Sequence, residues 1–599
     1  MSRKFESDFA RAHDCRFAVF SNSGTSALQI ALQALKELHG WEDGDEVIVP
    51  SVTFVATSNI VLHNRMKPVF VDVESDLYGI DVARLEEAVT PRTRAIIPVH
   101  LFGMPCDMDG VNEVAARHKL KVIEDSCETM FATYKGRSVG SLGDIGCFST
   151  YVAHILVTGV GGLSLTNDPE YAVTMRSLMN HGRDSIYLSI DDDTGLASDE
   201  QLKMVIARRF NFISHGHSFR CTELEAALGV AAMETAETMI ARRRANAAYL
   251  TRELSRFEDK LQLPEIRPEC QHSFMMYPLV LRGESKHDLV NFLEQRGVET
   301  RDMLPLVNQP VYSKMVSEDA FPVAKWINSN GFYIGCHQDL SAVDLDYMVE
   351  LFERYFRPGR AQRFKEGAAL VLVVEPDAID LEDLASNLPR ELFDKVVAID
   401  ASKGTADMSP LLAAGVEIWP ASKEPYAELM MGQVHDLPYE NLVFFPATGR
   451  YDVFDIARVL LTLERGHDMV IASRFIVGGK RQGSGRYRSV GNRVFNFLAS
   501  VIFEGNITDG LSPFRGIKRS RLRQVSLARR DLPGLYQLSI QALKRNWQIA
   551  EVPTSESVDL DWGQLAHIVA SVPKVMRVLI SEAWQSDNSA RRDDSEDWE

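Results

Sequence analysis

Residues 21–35 read "SNSGTSALQIALQAL" and follow the apolar run "RFAVF" at 16–20. Leu28, Ala31, Leu32 and Leu35 fall at i, i+3, i+4 and i+7, so a helix begins just after Ser23 and the run before it is strand-like. Ser23, Gly24 and Thr25 therefore occupy a strand-to-helix turn, where unpaired backbone N–H groups and the helix dipole favour a phosphate. A Ser or Thr at such a turn also reads as an ordinary helix cap. Moving outward, "EVIVP" (46–50), "PVFVDV" (68–73), "AIIPVH" (95–100) and "KVIED" (121–125) are short apolar runs separated by helical segments such as "GIDVARLEEAV" (79–89) and "DMDGVNEVAARHKL" (107–120). That alternation predicts an α/β fold, a parallel-rich sheet covered by helices.

The remainder of the chain divides by composition. A long helical stretch is predicted over 220–257, then a small α+β part over 271–357. Proline and charge cluster in "RPGRAQRFKEG" (357–367), which places a linker at 358–367, and "AALVLVVEP" (368–376) opens a second α/β unit running to 585. The tail 586–599 is acidic and polar enough to be disordered. With 65 Lys and Arg against 83 Asp and Glu, the formal charge is −18, which excludes a general nucleic-acid binder. No stretch approaches the ~20 apolar residues of a transmembrane segment, and "MSRKFESDFARAHDC" lacks the apolar core of a secretory signal, so a cytoplasmic protein is predicted. The seven cysteines are scattered without a C-x-x-C pair, which indicates neither a zinc site nor a disulfide framework.

Two further segments carry chemistry. "KVIEDSCE" ends a strand with Glu124 and Asp125, and the carboxyl ends of parallel strands are where open α/β sheets place ligands. "GDIGCFST" (143–150) ends another strand at Ser149 and Thr150, shortly before His154 and the glycines 159, 161 and 162.

Taken in order, "NSGTSAL", "GDEVIVPSVTFVATSN", "RTRAIIPVHLFGMPCDMDG", "VIEDSCETMFATYKGRSVGSLGDIGCFS", "GGLSLTND" and "RCTELEAALG" resemble the DegT/DnrJ/EryC1/StrS sugar aminotransferases, which are fold-type I pyridoxal-phosphate enzymes. The resemblance covers residues 5 to about 357 and implies a large sheet domain with a small α+β subdomain. It places Gly24, Thr25 and Ser149 on the cofactor phosphate, Phe54 on the face of the pyridine ring and Asp125 on the ring nitrogen. It also implies a homodimer with cofactor sites at the subunit interface. The family's asparagine that reaches the partner's cofactor falls at Ser218, and its substrate-side arginine is kept as Arg220.

The departures from the pattern are informative. The Schiff-base lysine falls at His154, and imidazole cannot form the internal aldimine that tethers the cofactor. Histidine here resembles the family's 3-dehydratase branch, in which pyridoxamine phosphate is held noncovalently and the histidine takes a proton as the 3-hydroxyl of a 4-keto sugar leaves. Glu128 stands where aminotransferases carry Gln or His near the cofactor's phenolic oxygen, so one of the two should hold a proton and the pair should titrate together. Val160 stands where a loop carboxylate is usual. Iron-dependent relatives bind a 2Fe–2S cluster through closely spaced cysteines, a spacing that Cys106, Cys127 and Cys147 do not reproduce, so no cluster is predicted.

The second half, notably "DMVIASRF" (468–475) and "ITDGLSPFRGIKR" (507–519), resembles a family 2 glycosyltransferase of the dolichyl-phosphate mannosyltransferase type, a nucleotide-diphospho-sugar transferase-like fold. Asp400, Arg474, Asp509 and Arg515 fall at matching positions and are the nucleotide-sugar candidates. The metal-binding D-x-D triplet of that class is Pro446, Ala447 and Thr448 here, so no metal is expected.

The sequence thus predicts an enzyme of nucleotide-sugar biosynthesis dependent on pyridoxal or pyridoxamine phosphate. The expected reaction is 3-dehydration of a nucleotide-linked 4-keto-6-deoxyhexose, with His154 and Glu128 catalytic and glutamate as amino donor. Two other readings stay open: a sugar-nucleotide-binding scaffold that has lost catalysis, and glycosyl transfer by the second half.

Overall fold

The structure is a computed structural model that describes residues 1–184, 200, 203, 207–208, 210–303, 306–357, 366–376, 378, 380–402, 404–420, 433–476, 480–482, 486–503, 505–525, 527, 532–557 and 573–584. Most of the linker expected at 358–367, and the whole tail 586–599, lie outside the described residues. Close contacts divide the chain into two units, Met1–Leu340 and Ser341–Glu599.

The first unit is built on a seven-stranded sheet of β1 (Phe17–Ser21), β2 (Glu46–Pro50), β3 (Lys67–Val71), β4 (Thr93–Ile96), β5 (Lys121–Asp125), β6 (Ile145–Ser149) and β7 (Gly162–Thr166). The order is β1-β7-β6-β5-β4-β2-β3. Strand β7 pairs antiparallel with both β1 and β6, and the other neighbours are parallel. Strands β1, β5 and β6 therefore all end on the same edge, which brings Ser23, Asp125 and Ser149 to one crevice. The helix Gly24–His39 buries Leu28, Ala31, Leu32 and Leu35 in the core, as their spacing requires, and stops at Gly40, whose φ of 63° suits glycine. A smaller antiparallel sheet, β8 (Leu261–Gln262), β9 (Met276–Leu281), β10 (Thr300–Asp302) and β11 (Gly331–Gly335) in the order β8-β9-β11-β10, forms the α+β part.

The helical stretch over 220–257 is two helices, Glu223–Met233 and Ala236–Leu254. The break falls at Glu234–Thr235, where the Thr235 hydroxyl donates to the Ala232 carbonyl and so competes with the backbone ladder.

The second unit holds another seven-stranded sheet: β12 (Ala368–Val374), β13 (Lys395–Asp400), β14 (Glu417–Pro420), β15 (Asn441–Pro446), β16 (Met469–Ser473), β17 (Arg515–Lys518) and β18 (Ile549–Pro553). Its order is β14-β13-β12-β15-β17-β16-β18, and β17 runs antiparallel to both neighbours. The direction of strand succession reverses between β12 and β15, the kind of switch point at which open α/β sheets bind ligands. The helix Ala342–Phe356, which composition assigns to the first half, groups with the second unit. It packs on the helix Asp455–Glu464, with Arg458 paired to Asp344 at 3.1 Å and Arg465 to Asp346. Proline and charge mark where regular structure ends, whereas contacts follow the apolar face of the helix.

Candidate active site

A cavity of about 360 Å³ opens at the carboxyl ends of β1, β5 and β6, lined by Gly24, Thr25, Phe54, Asp125, Glu128, Ser149 and His154 together with Tyr151, Met275, Met276 and Tyr333. Its floor is the turn into the helix Gly24–His39. Ser23 caps that helix by accepting from the Ser26 N–H at 3.0 Å, which leaves the first backbone N–H groups facing the cavity. A Cβ on Gly24 would sit 2.7 Å from Ser149 Cβ and 2.9 Å from Cys127 Sγ, and one on Gly162 would collide with the Ser23 carbonyl. The glycines let two strand ends and a helix start approach closely enough to form one anion cradle.

Asp125 ends β5 with its carboxylate buried. It accepts from Thr57 Oγ1 at 2.7 Å and from the Cys127 N–H at 3.2 Å. Burial pushes its carboxyl above the ordinary range, while those hydrogen bonds and the nearby His100 pull it back. A cation at the cavity side would complete its pairing. Glu128 is likewise buried and accepts the Phe102 N–H at 3.1 Å. Loss of water raises its pKa to about 7; the Phe102 bond opposes the rise and the Asp125 charge adds to it. Burial thus raises both acids, and in Asp125 the hydrogen bonds of Thr57 and Cys127 oppose it. His154 shows the opposite effect of burial, which lowers its pKa to about 4 against a weaker contribution from the Cys127 backbone. Its Nδ1 is buried without a hydrogen-bond partner. Phe54 stands at the mouth with 55% of its surface exposed, a ring face left for a flat ligand.

These residues fit pyridoxal phosphate: an N–H-rich glycine cradle for the phosphate, a buried carboxylate for the ring nitrogen, an aromatic face for the ring. The profile of the DegT/DnrJ/EryC1/StrS aminotransferase family matches residues 1–353. The chain belongs to that family. GDP-perosamine synthase of Caulobacter vibrioides is 34% identical over 59% of this chain and 89% of its own length. The dTDP-4-dehydro-2,6-dideoxy-D-glucose 3-dehydratase of Saccharopolyspora spinosa is 33% identical over 58% of this chain and 79% of its own. Among solved structures, the Escherichia coli GDP-4-keto-6-deoxy-D-mannose-3-dehydratase with bound hydrated PLP superposes with a TM-score of 0.53 and 26% identity, covering 58% of this chain and 91% of that one. Members of the DegT/DnrJ/EryC1/StrS family are pyridoxal-phosphate-dependent aminotransferases and sugar dehydratases, and the first unit is an enzyme of this kind.

Within this family frame, the cavity gathers seven of the nine first-unit residues singled out from sequence. Ser218 and Arg220 lie outside it, exposed, with Arg220 3.4 Å from the Ser218 hydroxyl and 3.5 Å from His181 Nε2. Glu124 points away from it, taking the N–H groups of Gly140, Leu142 and Gly143 and bonding His100, so this acid shapes a loop. Sequence reasoning missed Thr57, which orients Asp125, and Tyr151 and Tyr333, which line the cavity. "TFVATSN" held the signal for Thr57, one helical turn after Thr53 and Phe54.

In the second unit, Arg474, Asp509 and Arg515 come together but are spent internally. Arg474 makes a bidentate pair with Asp509, both contacts 2.7 Å, and a third at 2.7 Å with Glu556. Arg515 is fully buried and donates to the carbonyls of Ser512, Gly510 and Leu535. These arginines bind the fold of the unit rather than face a ligand. Asp400 ends β13 near the switch point and accepts from the N–H and hydroxyl of Ser402 at 2.9 and 2.5 Å. Among the described residues no cluster of His, Cys, Asp or Glu is arranged to hold a metal ion.

Proposed function

We propose that the first unit removes the 3-hydroxyl of a nucleotide-linked 4-keto-6-deoxyhexose, using pyridoxamine phosphate held noncovalently, with glutamate as the amino donor. One observation carries this reading. Where a tethering lysine would be required there is an imidazole with an unpartnered buried nitrogen, and among the described residues no lysine lines the cavity. When bound, the cofactor supplies a conjugated ring that takes up the electrons released as a neighbouring C–H bond breaks. Gly24, Thr25 and Ser149 would hold its phosphate, Asp125 the proton on its ring nitrogen, and Phe54 its face. His154, neutral at pH 7, would accept the proton, and anionic groups arriving beside it would raise its basicity toward the working pH. Glu128 would keep a proton next to the phenolic oxygen, avoiding two adjacent anions. The 3-dehydratase relatives support this assignment. This reading needs no iron–sulfur cluster and no metal.

We further propose a homodimer in which Ser218 and Arg220, exposed and outside their own cavity, serve the partner's site. For the second unit we propose noncatalytic binding of a nucleotide sugar or partner at the β12/β15 switch point, near Asp400. Pro446, Ala447 and Thr448 supply no carboxylate pair there for a metal-assisted transfer; metal-dependent release of nucleotide from a nucleotide sugar would overturn this. The noncovalent cofactor is tested by adding pyridoxal or pyridoxamine phosphate to the purified chain, following absorbance, and treating with borohydride. Binding without a covalent adduct is expected; a cofactor fixed on a lysine would overturn the proposal.

A further inference from the structure

The second unit has an outer helical layer that is apolar on both sides. The helix Leu532–Lys544 lies on the sheet through Leu535, Leu538 and Ala542. Its opposite side, Tyr536 and Ile540, packs against Phe495 and Ala499 of the helix Arg486–Ile502 and Val575, Val578 and Leu579 of the helical segment 573–584. Polar contacts fix this stacking: the Tyr536 hydroxyl donates to the Phe495 carbonyl at 2.5 Å, and buried Glu582 accepts from Gln537, Gln541 and Lys544 at 2.8, 3.2 and 3.0 Å. Both outer helices therefore have one face already buried. Yet their outward faces expose Val494, Phe497 (68%), Val501, Ile580 and Trp584 (74%). Val494, Phe497 and Val501 (i, i+3, i+7) and Ile580 and Trp584 (i, i+4) each form an exposed apolar stripe, and such stripes mark a contact surface.

The charge on this layer selects what that surface meets. Residues 493–502 and 573–584 contain one acid, Glu582, and it is buried, whereas Arg493, Lys574 and Arg577 are exposed, in a chain of formal charge −18. Phenylalanine and tryptophan beside exposed cations are the composition of a surface that lies in the boundary of an anionic bilayer. A second copy of the same face would set cation against cation. No described helix is long and apolar enough to cross a membrane, so contact would lie in the bilayer plane.

We infer that this layer docks the second unit on an anionic lipid surface. The full chain should sediment with vesicles of phosphatidylcholine containing roughly one third phosphatidylglycerol, not with phosphatidylcholine alone, and less as salt rises. Phe497→Ser with Trp584→Ser should weaken this partition roughly tenfold or more. Lys574→Gln and Arg577→Gln, which leave the apolar packing alone, should each weaken it roughly fivefold. Unchanged circular dichroism and unchanged hydrogen exchange in the helix Leu532–Lys544 would show that the variants fold. No binding to the anionic vesicles at low salt, or binding indifferent to both pairs of substitutions, overturns the inference. So does a concentration-dependent oligomer, abolished by the Phe497 and Trp584 changes, in a chain that ignores vesicles.

Discussion

Glu128→Gln isolates the electrostatics of the cavity. Burial lifts the Glu128 carboxyl from an ordinary 4.5 to about 7 in the folded protein. A folded-state pKa above the unfolded one means that the native protein binds the proton more tightly, so stability falls as pH rises from 4.5 through 7. At 1.36 kcal/mol per unit, that interval costs about 3 kcal/mol, fully present above pH 8 and absent below pH 4. Glutamine has nearly the same shape, and its carbonyl still accepts the Phe102 N–H. The variant should therefore be more stable than the wild type at pH 8 by an amount on the order of 1–3 kcal/mol, with the difference closing near pH 4.5. Hydrogen exchange read by mass spectrometry on peptides spanning 121–128, in the full chain across mild urea, reports this unit separately from the other. A variant equally or less stable at pH 8, or a difference that ignores pH, would mean that burial of Glu128 does not raise its pKa.

Gly24→Ala should weaken phosphate and cofactor binding at least tenfold and cost about 1–3 kcal/mol, because its Cβ meets Ser149 and Cys127 below 3 Å; calorimetric titration with pyridoxamine phosphate and a urea melt check this. Asp509→Ala should destabilise the second unit by about 2–4 kcal/mol, since it removes the bidentate partner of buried Arg474 and leaves only Glu556 to pair its charge, while exchange in residues 1–340 stays unchanged. If Arg220 serves the partner's site, Arg220→Ala and His154→Asn homodimers should each be nearly inactive. Mixing and refolding them together should restore about one quarter of wild-type turnover, through the one intact site in each heterodimer.

What could be read from the sequence follows from how local each signal is. The strand, turn and helix around Gly24 are fixed by adjacent residues, and Asp125 and Ser149 follow once parallel strands are recognised, since their ends share an edge. His154 was legible as a departure from a resemblance, but its unpartnered nitrogen and lowered pKa come from packing that no spacing encodes. Tyr333 reaches the cavity from a strand more than 170 residues after Ser149, a contact made by the small sheet rather than by any motif. Arg474, Asp509 and Arg515 show the converse limit: matching positions identified residues that matter, while only the structure shows them closing on one another and on backbone carbonyls.

His154 is assigned to move a proton without a tethering lysine. The direct measurement is turnover of a nucleotide-linked 4-keto-6-deoxyhexose by the full chain with pyridoxamine phosphate and glutamate, the product identified by mass and the rate compared with that of His154→Asn. The wild type should give a 4-keto sugar lacking one oxygen, its 3-hydroxyl leaving as water while the cofactor amine is released as ammonia and replaced from glutamate, and the variant should still bind the cofactor yet turn over roughly 10²-fold or more slowly. An aminated sugar as the product, or a His154→Asn rate within about tenfold of wild type, would contradict that assignment.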